Sequence, residues 1–421
     1  MGSTTEANPA LPIRKIPGNY GLPIIGPFKD QWDYFHNQGL SIHGVCANVP
    51  PGPFIESNPY VTVLDGKSFP VLFDTSKVEK RGLFHNNYSQ YYIPSTKFSG
   101  GYRILSYLDP SEPNHTKLKN LVFFLLRTLK GEQLAIKGKV AFGDPNDNAC
   151  FNFLGQAFYG VDPTNTKLGK NGPTLIAKWI LFQLLPPFLI KSDYKKLYDF
   201  FYNASGKILD EGEKMGIQRE EACHNLLSAT CFNSYGGIKI LFPSLLKFIS
   251  QAGVKLQKQL AEEIRTVVQS NGGKVTMSGI EQMELMNSVV FETLRIDPPV
   301  PLQYGKAKKD LVKKGEILFG FQPFPTKDPN IFSNGEEFVA ERFMGKEGEK
   351  LLKNVFWSNG PETDNPSVEN KQCAGKNFIV LVGRFLMVEL FMRYDTFEVT
   401  TGTSALGSTV TLTWVKRASL D

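Results

Sequence analysis

The feature that most constrains this chain is a cysteine set directly ahead of a long, very apolar helical stretch. Cys373 lies in the run Asn370-Lys371-Gln372-Cys373-Ala374-Gly375-Lys376, and the stretch runs from Phe378 to Met392. Sulfur just before a helix N-terminus faces unsatisfied N–H groups and the positive end of the macrodipole, which favour the thiolate. A soft anion so placed suits the axial position of haem iron. The competing interpretation is one more buried cysteine, a common fate of a free thiol. The stretch is too short to span a membrane and contains Arg384 and Glu389.

Two further features narrow the choice. Glu292-Thr293-Leu294-Arg295 puts an acid and a base three apart, on one face of a helix. Arg342, within Phe338-Val339-Ala340-Glu341-Arg342-Phe343, supplies a second guanidinium able to grip the same carboxylate. Alone, such a pair is as a rule a solvated surface pair of little worth. Here it is followed by Pro298-Pro299, then the Arg342 segment, then Cys373. That order resembles the cytochrome P-450 superfamily, in which a Glu-Arg-Arg cluster supports the loop carrying the haem thiolate.

The cysteine loop points to one branch. The superfamily commonly has a short Phe-x-x-Gly-x-x-x-Cys turn, whereas this chain reads Phe356-Trp357-Ser358-Asn359-Gly360-Pro361-Glu362-Thr363, then Asp364 to Glu369, then Asn370-Lys371-Gln372-Cys373. The longer loop is similar to that of the plant enzymes metabolising fatty-acid hydroperoxides: allene oxide synthases, hydroperoxide lyases and divinyl ether synthases. The resemblance runs from Leu11-Pro12-Ile13 to Ala418-Ser419-Leu420, essentially the whole chain. It implies a cytochrome P-450 fold, haem b as cofactor, and Cys373 as the axial thiolate.

Composition agrees with a large globular chain. Of 421 residues 41% are hydrophobic, and 38 Gly and 27 Pro supply many turns. The net charge of +6 is spread without a dense basic tract, which gives no case for nucleic-acid recognition. Cys46, Cys150, Cys223, Cys231 and Cys373 show no paired spacing, so neither a disulfide framework nor a zinc site is expected.

Helical periodicity dominates. Leu256, Leu260, Ile264, Val267 and Val268 form an apolar stripe, with Lys258, Glu262 and Arg265 turned elsewhere, and Asn271-Gly272-Gly273 stops the helix. A second helix passes through Leu285, Val289 and Leu294 to end at Pro298. Strands are expected at Val61 to Leu64, at Pro70 to Phe73, and at Val410, Leu412 and Trp414 pairing with Thr396 to Thr400. The expected architecture is mainly α with a minor β portion, one haem-thiolate domain over 1–421.

The central segment Ala229-Thr230-Cys231-Phe232-Asn233-Ser234-Tyr235-Gly236-Gly237 holds no carboxylate. Oxygen-activating members of the superfamily carry an acid–alcohol pair there. Asn233 occupies the prominent polar place, and an amide can bond a peroxide without relaying protons as an acid does. The resemblance therefore implies a substrate already carrying its O–O bond, cleaved without dioxygen, NADPH or a reductase. An Asn before Gly-Gly could instead mark a helix end. Phe84 matches an aromatic position of the allene oxide synthases, where hydroperoxide lyases tend to be aliphatic. Ser106 matches another pocket position.

The resemblance also assigns haem-contacting roles to His115, Lys119 and Lys371. His115 and Lys119 are spaced i and i+4, so on a helix they share a face. Lys239, six residues beyond Asn233, matches a substrate-contacting position suited to a fatty-acid carboxylate. Glu292, Arg295 and Arg342 support the haem loop. Segments near 39–49, 127–137, 185–191 and 312–314 are shorter than the family pattern, that between Phe84 and Pro94 is longer, and Asn377 replaces an aspartate.

The implied activity is a lyase of oxylipin and jasmonate biosynthesis: an allene oxide synthase dehydrating a polyunsaturated fatty-acid hydroperoxide, such as a 13-hydroperoxide of linolenic or linoleic acid. The alternatives are a hydroperoxide lyase or divinyl ether synthase on the same scaffold, a monooxygenase, and an inactive protein coating lipid particles. No secretory signal, transmembrane anchor or transit segment is evident. The resemblance implies a plastid location, with the cytoplasm or a lipid particle as alternatives and peripheral contact with a membrane as a possible association.

Overall fold

The computed structural model describes residues 46–49, 60–63, 65–79, 96–127, 144–181, 187–308, 317–404 and 407–418. Its α-helices are α1 Pro113–Arg127, α2 Asp144–Tyr159, α3 Gly172–Leu181, α4 Lys191–Ala204, α5 Gly206–Lys214, α6 Arg219–Ser228 and α7 Tyr235–Ala252. They continue as α8 Val254–Ser270, α9 Met277–Gln282, α10 Glu284–Ile296, α11 Pro323–Thr326, α12 Gly345–Leu351 and α13 Lys376–Arg393. The strands are β1 Cys46–Val49, β2 Tyr60–Val63, β3 Val78–Glu79, β4 Leu302–Ala307, β5 Ile317–Phe321, β6 Tyr394–Ser404 and β7 Gly407–Arg417.

The apolar stripe sets α8. Leu256, Leu260, Ile264 and Val268 are buried, and Gly272 and Gly273, with φ of 70° and 75°, turn the chain after it. Arg265 is half-buried: it donates to the carbonyls of Phe391 and Tyr394 and pairs with Asp395, closing the end of α13. That helix is the centre of the core. Phe378, Ile379, Val382, Met387, Val388 and Phe391 are all buried, and α7, α8 and α10 pack around it.

Gly383 lets α7 come close to α13, since a Cβ there would lie 3.0 Å from Leu241 Cδ2. Gly237 does the same one turn earlier, where a Cβ would lie 3.1 Å from Ile379 Cδ1. Gly236-Gly237 is thus helix interior, and no helix ends after Asn233.

One sheet has the order β1-β2-β5-β4-β3, with β2 and β5 parallel and the other pairs antiparallel. β6 and β7 form a separate hairpin in which Val399 faces Leu412 and Thr401 faces Val410. The strand expected at Pro70 to Phe73 is instead a 3-10 helix, Phe69–Phe73. Asp65 Oδ1 accepts from the amides of Lys67 and Ser68, and Pro70 fits the first turn. Phe69 and Leu72 then point together onto Gly320 of β5, an i, i+3 spacing that a strand cannot produce. The shortened segments near 127–137 and 312–314, most of those near 39–49 and 185–191, and the longer one after Phe84 lie outside the described residues.

Candidate active site

The charged cluster predicted from E-x-x-R is built in full. Glu292 on α10 is wholly buried, and Arg295 reaches its two oxygens at 2.7 and 2.8 Å. Arg342 Nε approaches the same oxygens at 2.9 and 3.0 Å, and the Val339 amide donates to Oε1 at 2.9 Å. The remaining guanidinium N–H groups serve the carbonyls of Thr326, Ser333, Asn334, Gly335 and Glu337. Phe332 lies beneath both, with ring centroid 5.0 Å from Arg295 and 5.9 Å from Arg342. Every charge here has an opposite charge and every arm of each fork an acceptor. The cluster pins residues 326–342 to α10, and its direct hydrogen bonds stop there.

The cysteine loop has its own bracing, which the sequence did not reveal. The Cys373 amide donates to the Ser358 carbonyl at 2.8 Å. Asn370 Oδ1 accepts from the Ser367 and Gln372 amides, and its Nδ2 donates to the Asn365 carbonyl. Gln372 Nε2 spans to Pro361 and Ser358. Lys376, at the start of α13, is buried against the carbonyls of Glu362 and Asp364, and Trp357 Nε1 holds the Glu362 carboxylate. Burial pushes the Glu362 carboxyl up, against the pull of Lys376. These residues lie in a loop without periodicity, so the sequence marks the run but not which of its side chains brace it.

Against this frame, Cys373 is half-buried, whereas Cys150, Cys223 and Cys231 are buried. The Gly375 amide bonds its sulfur, as expected ahead of a helix. The net effect is nevertheless opposite to the expectation: burial dominates and pushes the thiol up, with Gly375 and Lys119 opposing. The helix end alone does not make the thiolate; a cation bound at the sulfur would.

His115 and Lys119 do share a face of α1, both buried. Lys119 Nζ donates to the Asn370 carbonyl at 2.6 Å, and Lys371 Nζ to that of Leu108 at 2.7 Å. The Ser106 carbonyl lies 3.5 Å from Lys371, in the 3-10 turn Leu105–Tyr107, which brings Ser106 to this corner. Arg103 steadies the turn by gripping Glu112 at 2.7 and 3.2 Å and the Tyr107 carbonyl at 2.7 Å.

None of the three bases is ion-paired among the described residues, and His115 Nδ1 is buried without a partner. Burial, then Lys371 and Lys119, drive His115 down to about 4. Burial, then Lys371, lowers Lys119 to about 8; burial likewise lowers Lys371 to about 8. Crowded bases with no ion pair, beside the half-buried Cys373, fit a haem whose propionates these bases would neutralise and whose iron Cys373 would ligate.

The position of Asn233 along α13 follows from how α7 packs on that helix. Gly237 opposes Ile379 and Leu241 opposes Gly383, so α7 and α13 run parallel in register. One turn back, Asn233 falls at the level of Gly375, two residues from Cys373. Its amide is exposed and has no hydrogen-bond partner among the described residues. It sits in a π-helical segment, Ala229–Ser234, that joins α6 to α7.

Lys239 is not brought onto that face. Six residues on, it lies about 120° around the helix. There it pairs with Asp147 of α2 and lies 5.7 Å from the Tyr235 ring centroid. Phe84 lies outside the described residues.

The fold and this site define a haem-thiolate protein of the cytochrome P450 class. Residues 254–361 match the Cytochrome P450 family model. A retinoic acid-bound cyanobacterial CYP120A1 superposes with a TM-score of 0.68, covering 96% of this chain and 99% of that one at 15% identity, a likeness of fold. Within the class, the chain belongs to the allene oxide synthase family. It is 54% identical to the chloroplastic allene oxide synthase 1 of Solanum lycopersicum, across 97% of this chain and 87% of the relative. It is 52% identical to the chloroplastic allene oxide synthase of Arabidopsis thaliana, across 99% and 92%. For the chloroplastic allene oxide synthase 1 of Oryza sativa subsp. japonica the identity is 48%, across 97% and 91%. No helix of the described residues is long and apolar enough to cross a membrane.

Proposed function

We propose that this chain is an allene oxide synthase that dehydrates a polyunsaturated fatty-acid hydroperoxide, a 13-hydroperoxide of linolenic or linoleic acid, for oxylipin and jasmonate biosynthesis. The observation that carries the reading is the free Asn233 amide at the level of Gly375, in a segment without a carboxylate. Haem, when bound, supplies the ferric centre at which the O–O bond of the hydroperoxide breaks.

The chain's own residues then have separable tasks. Cys373 would hold the iron of the haem, and the Asn370–Gln372 and Glu362–Lys376 bonds keep its loop from shifting. His115, Lys119 and Lys371 neutralise the propionates. Asn233 donates and accepts hydrogen bonds at the peroxide and moves no proton through a carboxyl, which suits dehydration of a ready-made peroxide and not reduction of dioxygen. By the family resemblance Ser106 and Phe84 would bear on which product forms from the reacting carbons. Lys239, turned from the Asn233 face and paired with Asp147, has no task at the reacting centre in this reading.

The reading places the protein in plastids, as its chloroplastic relatives are named, with substrate drawn from a lipid surface. Phe188 and Leu189, 75% and 55% exposed, offer a peripheral contact with such a surface. The test is incubation of the haem-loaded protein with the 13-hydroperoxide and no NADPH. Ketols and a cyclopentenone are expected. Short aldehydes or divinyl ethers would replace the reading with one of the sister activities, and a requirement for NADPH would overturn it.

A further inference from the structure

The π-helical segment 229–234 has a cause that lies outside it. The Tyr235 amide donates to the Thr230 carbonyl, five residues back, so the turn carries one residue more than an α-turn. An extra residue offsets the faces of α6 and α7 by about 100° from an unbroken helix. Both flanks are locked on different partners. α6 is tied through Asn225, whose Oδ1 accepts from the Leu105 amide at 2.8 Å, and α7 through Gly237 and Leu241 on α13. The excess residue must be absorbed between them, but packing of the flanks alone does not say at which position.

One bond does. Thr230 Oγ1 and the Tyr159 hydroxyl are 2.6 Å apart, the sole side-chain hydrogen bond between 229–234 and another element among the described residues. Thr230 is wholly buried, and either hydroxyl of the pair can be the donor. Tyr159 ends α2, its ring fixed edge-on to Phe201 at 5.4 Å. The residue before it, Phe158, lies 5.2 Å from Phe378 on α13. The end of α2 therefore touches the first turns of the helix behind Cys373 and the segment holding Asn233.

We propose that Tyr159 is a positioning residue: its hydroxyl holds Thr230, keeps the wide turn at 229–234, and so holds Asn233 at the level of Gly375. The proposal rests on the role given to Asn233 above. Without the hydroxyl the extra residue slides along the rod, and the amide turns away from the peroxide while the pocket walls stay.

The test compares Tyr159→Phe, Thr230→Val, the double variant and Thr230→Ser in the haem-loaded full chain. Tyr159→Phe is expected to lower kcat about tenfold, since a misplaced group costs rate more than binding, with KM within about twofold. Thr230→Val should match it, the double variant should fall no further, and Thr230→Ser, which keeps the hydroxyl, should retain activity. Amide exchange over 231–235 should rise about tenfold in Tyr159→Phe whatever the turnover. Unchanged exchange and kcat in Tyr159→Phe would overturn the proposal, as would additive losses that track Tm. If Asn233→Ala leaves kcat intact, the role of Asn233 fails; the exchange measurement still decides the Tyr159–Thr230 link on its own.

Discussion

Two regions of this molecule bury charge, and they do so in opposite ways. Around Glu292 each charge is answered: two guanidinium groups share one carboxylate and hand their remaining protons to five main-chain carbonyls. Around Lys119 and Lys371 two like charges are pressed together and donate to main-chain carbonyls, and the Asp109, Glu112 and Glu369 carboxylates act on them only through space. The first region is a finished joint. The second is stable only in company, and that incompleteness marks it as the place where a dianionic cofactor belongs. Buried charge by itself therefore says little; whether it is compensated says a great deal.

The largest effect should come from breaking the finished joint. Glu292→Gln leaves two buried guanidinium groups without an anion, and a loss of about 3–5 kcal/mol in unfolding free energy is expected from denaturant titration. A loss under about 1 kcal/mol would mean that the cluster is no tighter than a surface network.

The open corner should respond differently. Lys371→Met removes a desolvated cation that has no direct ion pair, so the haem-free chain should change by less than about 1 kcal/mol. Haem retention, followed by transfer to a scavenging apoprotein, should weaken at least about tenfold. Equal damage to stability and to haem binding would erase the contrast between the two regions.

A smaller, graded effect should appear with pH. His115 and His224 are both held down, to about 4 in each case, chiefly by burial. Their ordinary value is 6.5, so between 6.5 and about 4 the unfolded haem-free chain binds protons that the folded chain refuses. Stability contributed by these groups is fully present above 6.5 and is lost as the pH falls toward 4. Tm measured across that window should decline, and His224→Gln should flatten part of the slope. A Tm independent of pH there would contradict the burial of both rings.

Much of this was legible in the sequence where a period or a spacing carried it. The stripe Leu256 to Val268, the glycines that end α8, the E-x-x-R pair and the β6–β7 hairpin all follow from local rules. The strand at Pro70 was misread because Phe69 and Leu72 follow a 3-10 spacing that a short apolar run does not distinguish. The wide turn at 229–234 left no trace, because it depends on α6 and α7 being seated on different neighbours. The braces of the cysteine loop were equally silent: Lys119 meets Asn370 across 251 residues. The sign of the Cys373 shift was missed for the same reason, since burial is a property of the whole fold.

The claim on which the rest depends is that Cys373 is the haem ligand. Visible spectra of the hemin-reconstituted chain and of Cys373→Ser measure it most directly. The account predicts a thiolate-type Soret band in the first and its loss in the second. An unaltered band in Cys373→Ser would place the iron on another residue and contradict the account.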